Sequence, residues 1–229
     1  MVSDVERLLY QVVKRDNSPR SIHCTRRKSF QDGNEKEILT AEVWEAPPLC
    51  SRLEIVDRQT IGDLNISDFS RGMGGIADFR EGVSVVVQGM SKIWIYSKDS
   101  DKYQVMDIDP HEVDRSLVTY PSLLNFDLIE NSSITCVGKE EVSNRSTHRI
   151  SIVPQNSASP LLQIYDDISI WIDSEHNWPI KTIQNYRMNK KTLCETSELN
   201  AISFNEDIPK EKFTFAPPED AERITRDNP

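Results

Sequence analysis

The sequence predicts an α+β protein that is mainly β, built on a single antiparallel sheet with a few helices. Three observations carry that expectation. Runs of alternating apolar and polar residues recur along the chain, separated by clusters of Gly, Asn, Asp, Ser and Pro, the pattern of half-buried strands joined by turns. Ile168-Ser-Ile-Trp-Ile-Asp173, the turn residues Asp173-Ser-Glu-His-Asn-Trp-Pro179 and the extended run Ile180 to Tyr186 read as a complete hairpin. Thr192 to Phe204 then leads into Phe213 and Phe215, stopped by Pro217 and Pro218, which cannot donate to a ladder. The chain is fastened at its end.

From the amino end, Ser3 followed by Glu6 forms a capping box, and Val5, Leu8, Leu9, Val12 and Val13 repeat at helical spacing until Asn17-Ser18-Pro19. Ser21 to Phe30 and Ile38 to Glu45 read as strands joined by the polar loop Gln31 to Glu37, with Gly33 where positive φ is cheap. After Pro47 and Pro48, Arg52 to Val56 alternates so that Leu53 and Ile55 point inward while Arg52 and Glu54 point outward. Asp57 to Gly82 contains Gly62, Gly72, Gly74, Gly75 and Gly82 with little periodicity and reads as a flexible insertion. Its Gly72-Met-Gly-Gly75 lacks the Lys-Ser/Thr ending of a phosphate loop.

Val83 to Val87 and Ile93 to Tyr96 form a second hairpin about Gly89-Met-Ser91, with Tyr103 to Ile108 pairing next. Asp107, Asp109, Glu112 and Asp114 surround Pro110 and fit a solvated helix start better than a calcium loop. Ser116 to Ile129, broken by Pro121, is apolar on a surface too broad for one stripe, with Leu117, Leu124 and Phe126 among its residues. A segment of that kind is buried on both sides, or on one side while the other faces a ligand.

The 229 residues are enough to bury a substantial core, and no linker-like composition divides them, so residues 1–229 are expected to form one domain, with 57–82 as an insertion and 220–229 as a loose tail. A net charge of −10 and a pI near 5.0 argue against nucleic acid as a partner. Arg26, Arg27 and Lys28 are the one dense basic run and read as a solvated strand end, the sharper alternative being contact with anionic headgroups. No stretch reaches the ~20 apolar residues of a membrane span. Cys24, Cys50, Cys136 and Cys194 have no C-x-x-C spacing, leaving open up to two disulfides or four separate thiols and giving no zinc site. His23, His111, His148 and His176 stand apart and no nucleophile motif appears, so neither an enzyme, a metal nor a cofactor is expected.

The segments "AEVWEAPPLCSRLEI", "KIWIYSKDSDKYQVMDI", "IWIDSEHNWPIK" and "FNEDIPKEKFTFAPPEDAE" occur in an order that resembles the LolA-like superfamily: lipoprotein carriers, outer-membrane lipoprotein-sorting-like proteins and RseB-type periplasmic regulators. With the opening helix they account for most of the chain. The resemblance implies a strongly curved half-barrel wrapped around helices that enclose an apolar cavity, with Leu53, Ile55, Leu117, Leu124 and Phe126 as its candidate lining. It implies an extracytoplasmic protein, in the periplasm or at the cell surface, tethered to the membrane by a segment that Met1-Val-Ser-Asp4 does not supply. Its expected partner is a lipid or the acyl chain of a lipoprotein. The alternative is an RseB-like sensor or assembly factor that regulates an envelope protein.

Overall fold

The computed structural model of the protein describes residues 3–14, 18–46, 50–62, 82–108, 119–121, 123–155, 162–188 and 191–224. Helix α1 (Asp4–Lys14) begins as the capping box requires: Glu6 N–H donates to Ser3 Oγ at 3.2 Å and Ser3 N–H to Glu6 Oε2 at 2.6 Å. Strands follow as β1 (Ile22–Asp32), β2 (Glu35–Ala46), β3 (Cys50–Ile61), β4 (Val85–Gln88), β5 (Lys92–Ser97) and β6 (Lys102–Asp107). After a five-residue helix α2 (Phe126–Glu130) come β7 (Ser132–Val142), β8 (Arg145–Pro154), β9 (Tyr165–Asp173), β10 (Pro179–Met188), β11 (Lys191–Phe204) and the two-residue β12 (Glu222–Arg223). The strands form one open sheet in the order β12-β6-β5-β4-β3-β2-β1-β11-β10-β9-β8-β7. Each pairing is antiparallel except β12 on β6. The protein is therefore mainly β, with two α-helices among the described residues.

Alternation along the strands sorts the sheet into two faces. The inner face carries one continuous apolar cluster that draws Ile22 from β1, Leu39, Ala41 and Val43 from β2, Leu53 from β3, Ile150 and Ile152 from β8, Ile168, Ile170 and Ile172 from β9 and Leu193 and Leu199 from β11. Leu9 and Val12 of α1 and Leu128 and Ile129 of α2 complete it. Tyr120 ties the helices down: its hydroxyl donates to the Val12 carbonyl at 3.1 Å and its ring meets Trp178 edge-on at 5.4 Å. Asn125 caps α2 by accepting from Leu128 N–H at 2.9 Å.

The chain's end crosses the outer face as a strap. Asn205 turns it, accepting Arg20 N–H at 2.8 Å on its side chain and the Arg20 guanidinium at 2.6 Å and 2.9 Å on its carbonyl. Lys212 then lies 3.9 Å from the Trp44 ring centroid, Arg52 donates to the carbonyls of Lys212 at 3.2 Å and Thr214 at 3.3 Å, and Phe215 packs on Tyr96 at 5.5 Å. Phe213 and Val87 are buried beneath or within this layer. A side chain at Gly89 would stand 3.2 Å from the Phe213 carbonyl and 3.3 Å from the Trp94 ring and would press on the strap's seat.

The structure differs from the sequence reading at several places. The Gln31–Glu37 loop is in fact a two-residue turn, because Gln31 pairs Lys36 and Asp32 pairs Glu35 in the ladder. Polar side chains alternating out to solvent had the composition of a loop. β3 continues to Ile61, into the segment read as an insertion, while 63–81 lie outside the described residues. Glu222 and Arg223, assigned to the tail, bond along β6 through Glu222 N–H to Asp101 at 2.9 Å and Ile224 N–H to Tyr103 at 2.9 Å. The β7–β8 hairpin closes on Ser143 and Asn144, both at positive φ, and was not read in the sequence. The acidic stretch 109–114 lies outside the described residues.

Candidate functional site

The five candidate lining residues do not share one environment. Leu53, 1% exposed, and Leu124, 3% exposed, belong to the same apolar cluster, and Ile55 packs against it partly buried. Phe126, expected to be buried, is 43% exposed, since it starts α2 at the rim of the helical layer, where its ring lies 5.9 Å from Tyr10. Leu117 lies outside the described residues. Arg52 and Glu54 face outward, joined at 2.5 Å, with Arg52 held under the strap.

The inner face is less uniformly apolar than the sequence reading supposed. Arg26 and Lys28 do not form a solvated strand end: they share β1's inner face with Ile22, Cys24 and Phe30 and are 6% and 8% exposed, while Arg27 between them is exposed. Period-two geometry requires this once β1 is a central strand. Lys28 Nζ pairs with Glu195 Oε1 of β11 at 3.0 Å. Burial pushes the Lys28 ammonium below its usual range, opposed by Glu195, and burial likewise lowers Arg26. On β10, Thr182, Gln184 and Tyr186 point the same way and are buried. Tyr186 is 1% exposed and its hydroxyl has no hydrogen-bond partner among the described residues. Burial and the nearby Glu195 push its ionisation far up, and the same two causes raise Tyr165 to about 12. At the other end of the inner face Glu45, fully buried, accepts Thr119 N–H at 2.9 Å and the Thr119 hydroxyl.

A second polar group lies at the rim. Asp173, 1% exposed, accepts Arg145 Nε at 2.6 Å and the backbone N–H groups of Glu175 at 3.2 Å and His176 at 2.8 Å. His176 stacks on Phe204 at 4.2 Å. Burial opposes ionisation of Asp173, but the bonds from Arg145 and His176 outweigh it and hold the carboxyl below its usual range. The adjoining pocket of about 210 Å³, lined by Asn144, Arg145, Ser146, Asp173, Ser174 and Glu175, is polar, and its acid is taken up in holding the β9–β10 turn. His23 is engaged with Glu42 at 2.6 Å and stacked on Trp44 at 5.1 Å. The four cysteines are free: Cys24 is buried, Cys50 and Cys194 are half-buried, and Cys136 is exposed on the edge strand β7. No cluster of metal-binding side chains occurs, and no helix is long and apolar enough to cross a membrane, among the described residues.

Residues 115–226 match the family described as "Predicted periplasmic protein (DUF2092)". That description agrees with an extracytoplasmic location. No curated protein matches the chain. Among solved structures, a chain of the Pseudomonas aeruginosa MucA/MucB complex is similar at 14% identity and TM-score 0.55, over 93% of this chain and 62% of that one. An uncharacterised conserved protein of Thermus thermophilus is similar at 12% identity and TM-score 0.52, covering 98% of this chain and 100% of that one. The Mycobacterium tuberculosis lipoprotein LppX is similar at 12% identity and TM-score 0.52, over 90% of this chain and 99% of that one. The chain thus shares its fold with the lipoprotein LppX and with the chain of the MucA/MucB structure.

Proposed function

We propose that this protein is a non-enzymatic carrier that holds a lipid, or the acyl chain of a lipoprotein, against the inner face of its sheet, curved into a half-barrel around its helices. The observation that supports the reading is the asymmetry of the sheet. Over β2 to β5 one face is crossed by a strap of the chain itself, while the other collects the apolar side chains of β1, β2, β3, β8, β9 and β11 and is closed by short helical pieces. Leu53 and Leu124 lie within that apolar layer, Ile55 packs against it and Phe126 stands at its rim. Displacing the short covering pieces exchanges protein contacts for an acyl chain at little cost in backbone hydrogen bonds. Each methylene withdrawn from water contributes ~0.8 kcal/mol, so one chain supplies useful affinity without a specific polar contact.

The test is binding of a fluorescent fatty-acyl probe across a series of chain lengths. Affinity should rise by up to about fourfold per methylene. Leu124→Glu should weaken binding by placing an unpaired charge in the apolar layer, and Glu54→Gln on the outer face should leave it unchanged, with the stability of each variant measured alongside. No uptake at any length, or equal affinity in the two folded variants, would favour the envelope-partner regulator instead, with the inner face serving only as core.

A further inference from the structure

The inner face carries polar groups that an acyl-binding surface does not need. The register of β1, β11 and β10 places Phe30 opposite Glu195 and Glu195 opposite Gln184, with Lys28 opposite Ser197 and Tyr186 opposite Leu193 on the flanking rungs. Tyr186 is fixed from two sides by edge-on rings, Phe30 at 5.9 Å and Tyr165 at 5.5 Å. Its hydroxyl is nevertheless buried with no partner among the described residues. A buried donor left unmade is destabilising, and phenylalanine would fill the same space without that penalty. Lys28 and Glu195, whose side chains are 10% and 11% exposed, bring an ion pair to the same corner. Burying such a pair generally stabilises no better than apolar packing would.

We infer that this corner, where β1, β11 and β10 meet, receives the polar end of an amphiphilic ligand, an oxyanion head held by the Tyr186 hydroxyl and the Lys28 ammonium, while its chain runs along the apolar layer toward Leu53. The inference rests on the carrier reading and adds the class of ligand. Both groups donate, the Lys28 ammonium while it is paired with the Glu195 carboxylate at 3.0 Å, so the head must accept hydrogen bonds. Arg26, two residues from Lys28 on the same face, adds positive charge that disfavours a cationic head. Carboxylate and phosphate share the required chemistry.

The experiment compares probes of one chain length: a fatty acid, its methyl ester, the corresponding fatty amine, and a lysophosphatidic acid. The wild type should bind the acid and the lysophosphatidic acid about tenfold more tightly than the ester, as a charge-assisted hydrogen bond provides, and the amine least. A preference for one of the two anions then identifies whether the head is carboxylate or phosphate. Tyr186→Phe should remove most of the preference for acid over ester and leave ester binding intact. Because Lys28→Met alone strands Glu195, it is made together with Glu195→Gln, and that pair should abolish the preference as well. The ligand-free melting temperature of Tyr186→Phe should equal or exceed that of the wild type. A fall in that temperature, or equal binding of acid, ester and amine with the chain-length dependence preserved, would overturn the head-group site while leaving the carrier reading standing. Failure of every probe to bind would overturn both.

Discussion

Removing the Asp173 carboxylate should cost about 3 kcal/mol. The β9–β10 turn is anchored in the core by Trp178, 1% exposed, and on its polar side by Asp173, which is equally buried and gathers a guanidinium bond at 2.6 Å and two backbone N–H bonds at 2.8 and 3.2 Å. Breaking one partner out of a buried pair typically costs ~3–5 kcal/mol, and the lower end applies because Arg145's side chain remains 22% exposed. For a domain of this size each kcal/mol moves the melting temperature by about 2–4 °C, so Asp173→Ala should lower it by roughly 6–12 °C. Asp173→Asn keeps an acceptor for the turn and should lose about half as much. The pH dependence has a definite sign. Because folding depresses the Asp173 pKa, the stabilisation is fully present above the ordinary aspartate value of about 3.9 and is lost as pH falls through the lower folded value. Urea unfolding of Asp173→Ala, Arg145→Met and the double variant measures this directly. A coupling energy near zero in that cycle, or a loss below about 1 kcal/mol for Asp173→Ala, would refute the assignment of the turn's stability to this pair.

The strap should behave as part of the fold. Phe213→Ala should cost about 3 kcal/mol by emptying its buried site, read as a shift in urea midpoint with an unchanged slope, and Gly89→Val should destabilise by pressing on the Phe213 carbonyl. The thiols should separate kinetically: an alkylating reagent followed by mass spectrometry should modify exposed Cys136 first and Cys24 only on unfolding, since burial pushes the Cys24 thiol well above its normal pKa. Leu53→Ala, in the apolar layer, should cost ~2–5 kcal/mol in the same unfolding assay, whereas Glu54→Gln on the opposite face should fall within about 0.5 kcal/mol of the wild type.

Much of the sheet could be read in the sequence because its strands obey a two-residue period wherever one face is buried. Arg52 to Val56 and Ile168 to Asp173 are such cases, and the opening helix announced itself through Ser3 and Glu6. The β7–β8 hairpin escaped because β7 is an edge strand with little buried surface, so Ser132 to Val142 shows scant apolar alternation, and the inward pair Ile150 and Ile152 is too short a signal to stand alone. The burial of Arg26 and Lys28 was implicit in their spacing from Ile22, Cys24 and Phe30, but charge outweighed parity in the reading of that run. The phenylalanines of the strap marked a fastening point without naming its receptor, because Trp44, Val87, Gly89 and Tyr96 are contributed by strands distant in the chain. Tyr186 gave no warning at all, since an unpartnered hydroxyl is a property of packed neighbours and not of local sequence.

Native mass spectrometry of the protein purified without detergent tests the central claim most directly. The account predicts a bound species of lipid mass that organic solvent releases, and its loss from the folded Leu124→Glu variant while Glu54→Gln retains it. A bare polypeptide mass, unchanged after incubation with fatty acid or lysophosphatidic acid, would contradict the carrier function.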